Sequence, residues 1–135
     1  MAKNKTLYLA DDDPDDRMML IDAIRSIDSD IVIIEAENGN ELLEILQSEK
    51  HADPGLIILD VNMPKMNGLE TLAKLRCLPQ IMRVPTVMLS TSNNPQTRQE
   101  AKNLGALHYF FKPARIQDLM NLARQLVLGV YPGAI

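Results

Sequence analysis

Cysteine occurs once in the 135 residues, at Cys77, so no disulfide can close within the chain. A reducing compartment is the simple reading, with Cys77 as a small buried hydrophobe. Long apolar runs are also missing. None approaches the roughly 20 residues that a membrane-spanning helix requires. Lys3 and Lys5 near the start are not followed by the apolar stretch and cleavage site of an export signal. These absences place the chain in the cytoplasm. Basic excess is lacking as well: the net charge is -4 and the pI is near 5.1. Bulk binding to nucleic acid or to an anionic membrane needs a basic face, so both are excluded. There is no linker, internal repeat or low-complexity tract.

What is present is an alternation of short apolar runs with amphipathic stretches. The runs are Leu7 to Ala10, Ile31 to Ile34, Leu56 to Leu59, Thr86 to Leu89 and His108 to Phe111. Three of them are solidly aliphatic, as strands buried on both faces of a parallel sheet are. Between them lie stripes at helical spacing. Leu20, Ile21, Ile24 and Ile27 form the first; Leu42, Ile45 and Leu46 the second; Leu69, Leu72 and Leu75 the third. The last runs through Ile116, Leu119, Met120, Ala123, Leu126 and Val127. From Pro95 to Leu104 only Ala101 and Leu104 are clearly apolar, so that helix is the most weakly held.

Punctuation agrees with these elements. Asp13 can cap the first helix with Pro14 at its first position, and Asn40 or Asn38 can open the second. Gly105 and Gly129 follow the fourth and fifth helices, where a left-handed residue belongs. Five βα units predict one doubly wound α/β domain with a five-stranded parallel sheet and helices on both faces.

Ligands of such sheets bind beyond the carboxyl ends of the strands, where the strand order reverses. Asp11 to Asp16, broken by Pro14, follow the first strand. Asp60 ends the third, Ser90 and Thr91 follow the fourth, and Lys112-Pro113 follows the fifth. In a flavodoxin-like order, 2-1-3-4-5, strands one and three are neighbours, and Asp11, Asp12 and Asp60 converge. Crowded carboxylates repel and raise a pKa unless a cation intervenes. Mg²⁺ suits them, since it prefers oxygen ligands and keeps several waters. Lys112 adds a positive charge and Ser90 a hydrogen-bond donor. A carboxylate nucleophile flanked by such groups fits phosphoryl transfer through an acyl phosphate.

The segments Leu9-Ala10-Asp11-Asp12-Asp13, Leu59-Asp60-Val61-Asn62-Met63-Pro64 with Asn67-Gly68, Met88-Leu89-Ser90-Thr91 and Tyr109-Phe110-Phe111-Lys112-Pro113 resemble those of response regulator receiver domains of the chemotaxis type. The resemblance covers essentially the whole chain. It implies a single receiver domain over residues 1–135, with a core of about 5–129 and no effector domain. It further implies that Asp60 accepts a phosphoryl group from a sensor histidine kinase or a histidine phosphotransfer protein. Mg²⁺, for which Mn²⁺ can substitute, would be bound by Asp12, Asp60 and the backbone carbonyl of Asn62, with Asp11 acting through water. Lys112 and Ser90 would contact the phosphoryl group, Ser90 and Tyr109 would switch, and the Lys112-Pro113 bond would be cis. Such a domain is a signalling switch that catalyses only its own phosphorylation and slow dephosphorylation. It works as a monomer or weak homodimer on a protein target that the residues do not name.

Ser90 stands where Thr is commoner in that family, and Thr91 where a small residue is frequent. Asn62 and Ser92 occupy positions that tune the lifetime of the phosphorylated state. The alternatives are a receiver-like interaction module that is never phosphorylated, and a phosphatase with an aspartyl-phosphate intermediate. The second usually carries an acid two residues after the nucleophile, where this chain has Asn62. Asp13, Asp15 and Asp16 read as acids at a helix N-terminus, His51 as a solvated loop residue and His108 as surface-facing. Met63 and Met66 read as packing residues.

Overall fold

The computed structural model describes residues 5–48 and 51–129. Strands and helices alternate: β1 (Thr6–Ala10), α1 (Pro14–Ile27), β2 (Val32–Ala36), α2 (Gly39–Gln47), β3 (Leu56–Asp60), α3 (Gly68–Leu75), β4 (Thr86–Ser90), α4 (Pro95–Asn103), β5 (His108–Phe111) and α5 (Ile116–Leu128). All pairings are parallel and the strand order is β2-β1-β3-β4-β5. This is the predicted doubly wound order, with its reversal between β1 and β3.

Alternation along each strand divides the core into two layers, since successive residues point to opposite faces. Tyr8, Ile57, Leu59, Met88 and Tyr109 face α2, α3 and α4 together with Leu42, Leu46, Leu72 and Leu75. Leu7, Leu9, Ile58, Val87, Leu89 and Phe110 face α1 and α5 with Ile24, Leu119 and Leu126. β3 and β4 are buried along their whole length. β2 is the sheet edge, and Val32 and Glu35 on it are exposed. Its aliphatic run therefore does not mark a strand covered on both faces.

The caps of α1 and α2 form as the sequence indicates, and the structure adds one on α3. The Asp13 carboxylate accepts from the backbone N–H groups of Asp15 and Asp16, with Pro14 opening α1. Asn38, rather than Asn40, caps α2. Asn67 and Glu70 make a reciprocal capping box on α3. Gly105 and Gly129 have φ of +92° and +68°. α4 buries only Ala101.

Several further expectations are corrected. The Lys112–Pro113 bond is trans, as no cis peptide occurs among the described residues. Trans is the lower-energy form for X–Pro by about 0.5–1 kcal/mol. Cys77 is exposed, because it falls on the outer side just past the end of α3. His108 is buried, its ring edge-on to Phe110 at 4.5 Å between centroids. Ile116 at the start of α5 is 70% exposed; Leu122 carries the stripe inward instead. His51 is half-buried, with Nδ1 2.6 Å from the Ser48 carbonyl oxygen. The segment 130–135 lies outside the described residues.

Candidate functional site

Backbone ladders bring the chemistry-bearing residues to one rim of the sheet. The Asp11 N–H donates to the Ala36 carbonyl at 3.1 Å, extending β1 beside β2 by one residue. Ala10 pairs with Leu59, so the next residues, Asp11 and Asp60, emerge side by side. The Val61 N–H donates to the Leu89 carbonyl at 2.9 Å and the Lys112 N–H to the Ser90 carbonyl at 2.8 Å. These bonds fix where β3 and β5 release the chain. Asp11, Asp60 and Ser90 are all buried, while Asp12 is exposed.

One carboxylate oxygen from each of Asp11, Asp12 and Asp60 lies within 4.8 Å of the others. Lys112 reaches into this cluster. Its Nζ stands 2.9 Å from Asp11 Oδ2, 3.0 Å from Asp16 Oδ2 and 3.3 Å from Asp60 Oδ2. One ammonium thus faces three carboxylates. Burial and the Asp11 charge push the Asp60 carboxyl up to about 7, although Lys112 and the Asn62 N–H pull it down. Burial lowers the affinity of Lys112 for its proton, but hydrogen bonds to Asp11 and Asp16 and the charges of Asp60 and Asp11 outweigh it and hold the group above its ordinary range. The site carries surplus negative charge, made of hard oxygen donors, and this suits a divalent cation such as Mg²⁺.

The surrounding loops are tied down. The Asn62 N–H lies 3.4 Å from Asp60 Oδ1. The Ser92 N–H donates to Ser90 Oγ at 3.0 Å, turning the hydroxyl-bearing loop back on itself. The Tyr109 hydroxyl donates to the Ser92 carbonyl at 3.2 Å, and Arg98 of α4 lies 5.1 Å over the Tyr109 ring. Tyr109 is therefore packed into the core and also joined to the β4–α4 loop. A pocket of about 170 Å³ opens beside Lys112, lined by Asp16, Met19, Leu89, Thr91 and Pro113. The larger cavity, about 760 Å³ between α2 and α3, holds none of the clustered acids.

Two residues at the site have no sequence signal of their own. Asp16 reads as a helix-start acid, yet it pairs with Lys112. Arg17 donates through a terminal nitrogen to the Asp11 carbonyl at 2.6 Å and through Nε to Glu35 of β2 at 3.0 Å. The one hint was a cation placed directly behind a run of acids.

Residues 7–124 match the response regulator receiver domain. The chain belongs to the response regulator receiver family. Receivers are the signalling switches of two-component systems. This receiver is 38% identical over 128 residues to the nitrate/nitrite response regulator protein NarL of Escherichia coli K12. That match covers 92% of the receiver but 55% of NarL, so the chain spans about half the length of that relative. Its fold follows that of the phosphorylated cyanobacterial phytochrome response regulator RcpA, with a TM-score of 0.84 at 27% identity, covering 96% of this chain and 99% of RcpA. The Mn²⁺-bound response regulator Rcp1, known from Synechocystis, gives a TM-score of 0.83 at 25% identity, covering 96% and 98%. No helix among the described residues of the receiver is long and apolar enough to cross a membrane.

Proposed function

We propose that this receiver takes a phosphoryl group on Asp60 and passes the signal on by changing the surface around β4, α4 and β5. The donor would be a sensor histidine kinase or a histidine phosphotransfer protein. The observation that supports this most is the buried Asp60 carboxylate at a strand end, 3.3 Å from the Lys112 ammonium and clustered with Asp11 and Asp12. In the transfer an Asp60 oxygen attacks phosphorus, the bond from phosphorus to the donor nitrogen breaks, and the electron pair leaves with the donor. Such a step depends on alignment and on neutralising the phosphoryl oxygens, with little further covalent chemistry.

Asp12, Asp60 and the Asn62 carbonyl would hold Mg²⁺, or Mn²⁺ in its place, with Asp11 reaching it through water. When bound, the cation supplies charge neutralisation at the phosphoryl oxygens. Lys112 and Ser90 would contribute an ammonium and a hydroxyl from the chain itself. Ser90 Oγ already receives the Ser92 N–H. A new bond from Ser90 to a phosphoryl oxygen would therefore pull on the loop that also holds Tyr109 through Ser92. Tyr109 and the weakly anchored α4 would form the two-state element. The protein would act in the cytoplasm, in keeping with its single exposed thiol.

The test is intact mass after incubation with Mg²⁺ and acetyl phosphate, for wild type and Asp60→Asn. One phosphoryl adduct that is base-labile, Mg²⁺-dependent and absent in the variant is expected. A wild type that binds Mg²⁺ yet takes no phosphoryl group, even from a kinase, would sink the reading.

A further inference from the structure

The Lys112 ammonium has three N–H bonds and three carboxylate partners, so it is saturated before any phosphoryl group arrives. Asp11 and Asp60 belong to the acceptor cluster. Asp16 does not. It stands on the first turn of α1, its side chain is 43% exposed, and its nearest partner across the rim is Lys112. Its backbone N–H is fixed by Asp13, and Pro14 sets the entry of the helix, so the carboxylate is aimed by the cap.

We propose that Asp16 is a positioning residue that holds Lys112 back from the phosphoryl group and so lowers the affinity of the acceptor site for that group. The inference rests on the reading of Asp60 as acceptor. A phosphoryl group on Asp60 needs an N–H from Lys112. Asp16 competes for the same ammonium, and its own negative charge sits close enough to oppose a dianion. Removing the carboxylate frees the ammonium. Because Asp16 is half-exposed, the gain is modest, on the scale of a partly solvated ion pair.

The experiment measures the dissociation constant for beryllofluoride, a non-covalent phosphoryl mimic, in the presence of Mg²⁺. Wild type, Asp16→Asn, Asp16→Glu and Asp15→Asn are compared. Asp15→Asn removes a charge from the same turn without touching Lys112. Asp16→Asn is expected to bind about fivefold more tightly, Asp16→Glu to return to the wild-type value, and Asp15→Asn to differ little from it. In metal-free ¹⁵N-labelled protein, the Lys112 ammonium signal should exchange faster with water in Asp16→Asn only. Equal affinity of wild type and Asp16→Asn would overturn the proposal while leaving Asp60 as acceptor. An equal gain in Asp15→Asn would overturn it too, since general charge would then be the cause. A wild type that binds no beryllofluoride overturns the acceptor reading and this proposal together.

Discussion

Gly68 is pressed against the backbone of Asp60. A β-carbon at Gly68 would stand 2.4 Å from the Asp60 carbonyl oxygen and 2.9 Å from the Val61 Cα. The Gly68 N–H also donates to the Val61 carbonyl at 2.8 Å, closing the β3–α3 loop onto the end of its own strand. The obstructing atoms are backbone and cannot swing aside. Gly68→Ala should therefore cost about 1–3 kcal/mol, the usual range for overpacking a tight site. Urea denaturation should show a lower midpoint with an unchanged slope. Acetyl phosphate labelling of the folded variant should slow as well, because Asp60 is displaced.

Asp60 should destabilise the metal-free fold at neutral pH and above. An unfolded Asp titrates near about 4, and the native carboxyl is pushed up to about 7 by burial and by Asp11. Between these values the native state keeps a proton that the unfolded chain has lost, so stability falls as pH rises through the interval. In the presence of a chelator, Asp60→Asn should be more stable than wild type at pH 8, and the gap should close at pH 5. Millimolar Mg²⁺ should raise the wild-type Tm at pH 8 and barely move the variant. A gap that widened toward acid pH would contradict this.

Arg76 is a structural cation. Its guanidinium donates to the carbonyls of Leu104, Met82, Val84 and Gly105 at 2.8–3.3 Å, tying the end of α3 to the α3–β4 loop and to the α4–β5 turn. Hydrogen bonds to a charged group contribute about 1.5–3 kcal/mol. Arg76→Met should cost roughly that range in thermal or urea denaturation, with phosphorylation retained in the folded fraction. Arg76→Lys should rescue little, since an ammonium cannot span four carbonyls.

Tyr109 and α4 should report the switch. Tyr109→Phe loses the bond to the Ser92 carbonyl and should cost about 1 kcal/mol. Amide hydrogen exchange over Ser92 to Asn94 should quicken, and Asp60 should still be phosphorylated. α4, which buries only Ala101, should be the fastest-exchanging helix among the described residues. Protection of α4 equal to that of α5 would argue against its role as the mobile element.

Most of the fold was legible because local rules agreed with one another. Aliphatic runs, helical stripes and the residues Asp13, Asn38, Gly105 and Gly129 all act over one or two turns of chain. The sequence by itself determined the order of elements and the strand ends from which Asp11, Asp60, Ser90 and Lys112 emerge, while the strand order followed from the flavodoxin-like arrangement that those elements resemble. What it could not convey was which side of a half-apolar stretch faces in. Cys77 and Ile116 lie outward and His108 inward, because burial there depends on what the neighbouring elements cover. Edge position, likewise, is a property of the whole sheet, and it left β2 uncovered. Only the tertiary structure decided that Asp16 shares Lys112 and that Arg17 braces Asp11. These pairings join residues on separate elements, and no spacing along one helix carries the distance to a cation 96 positions away.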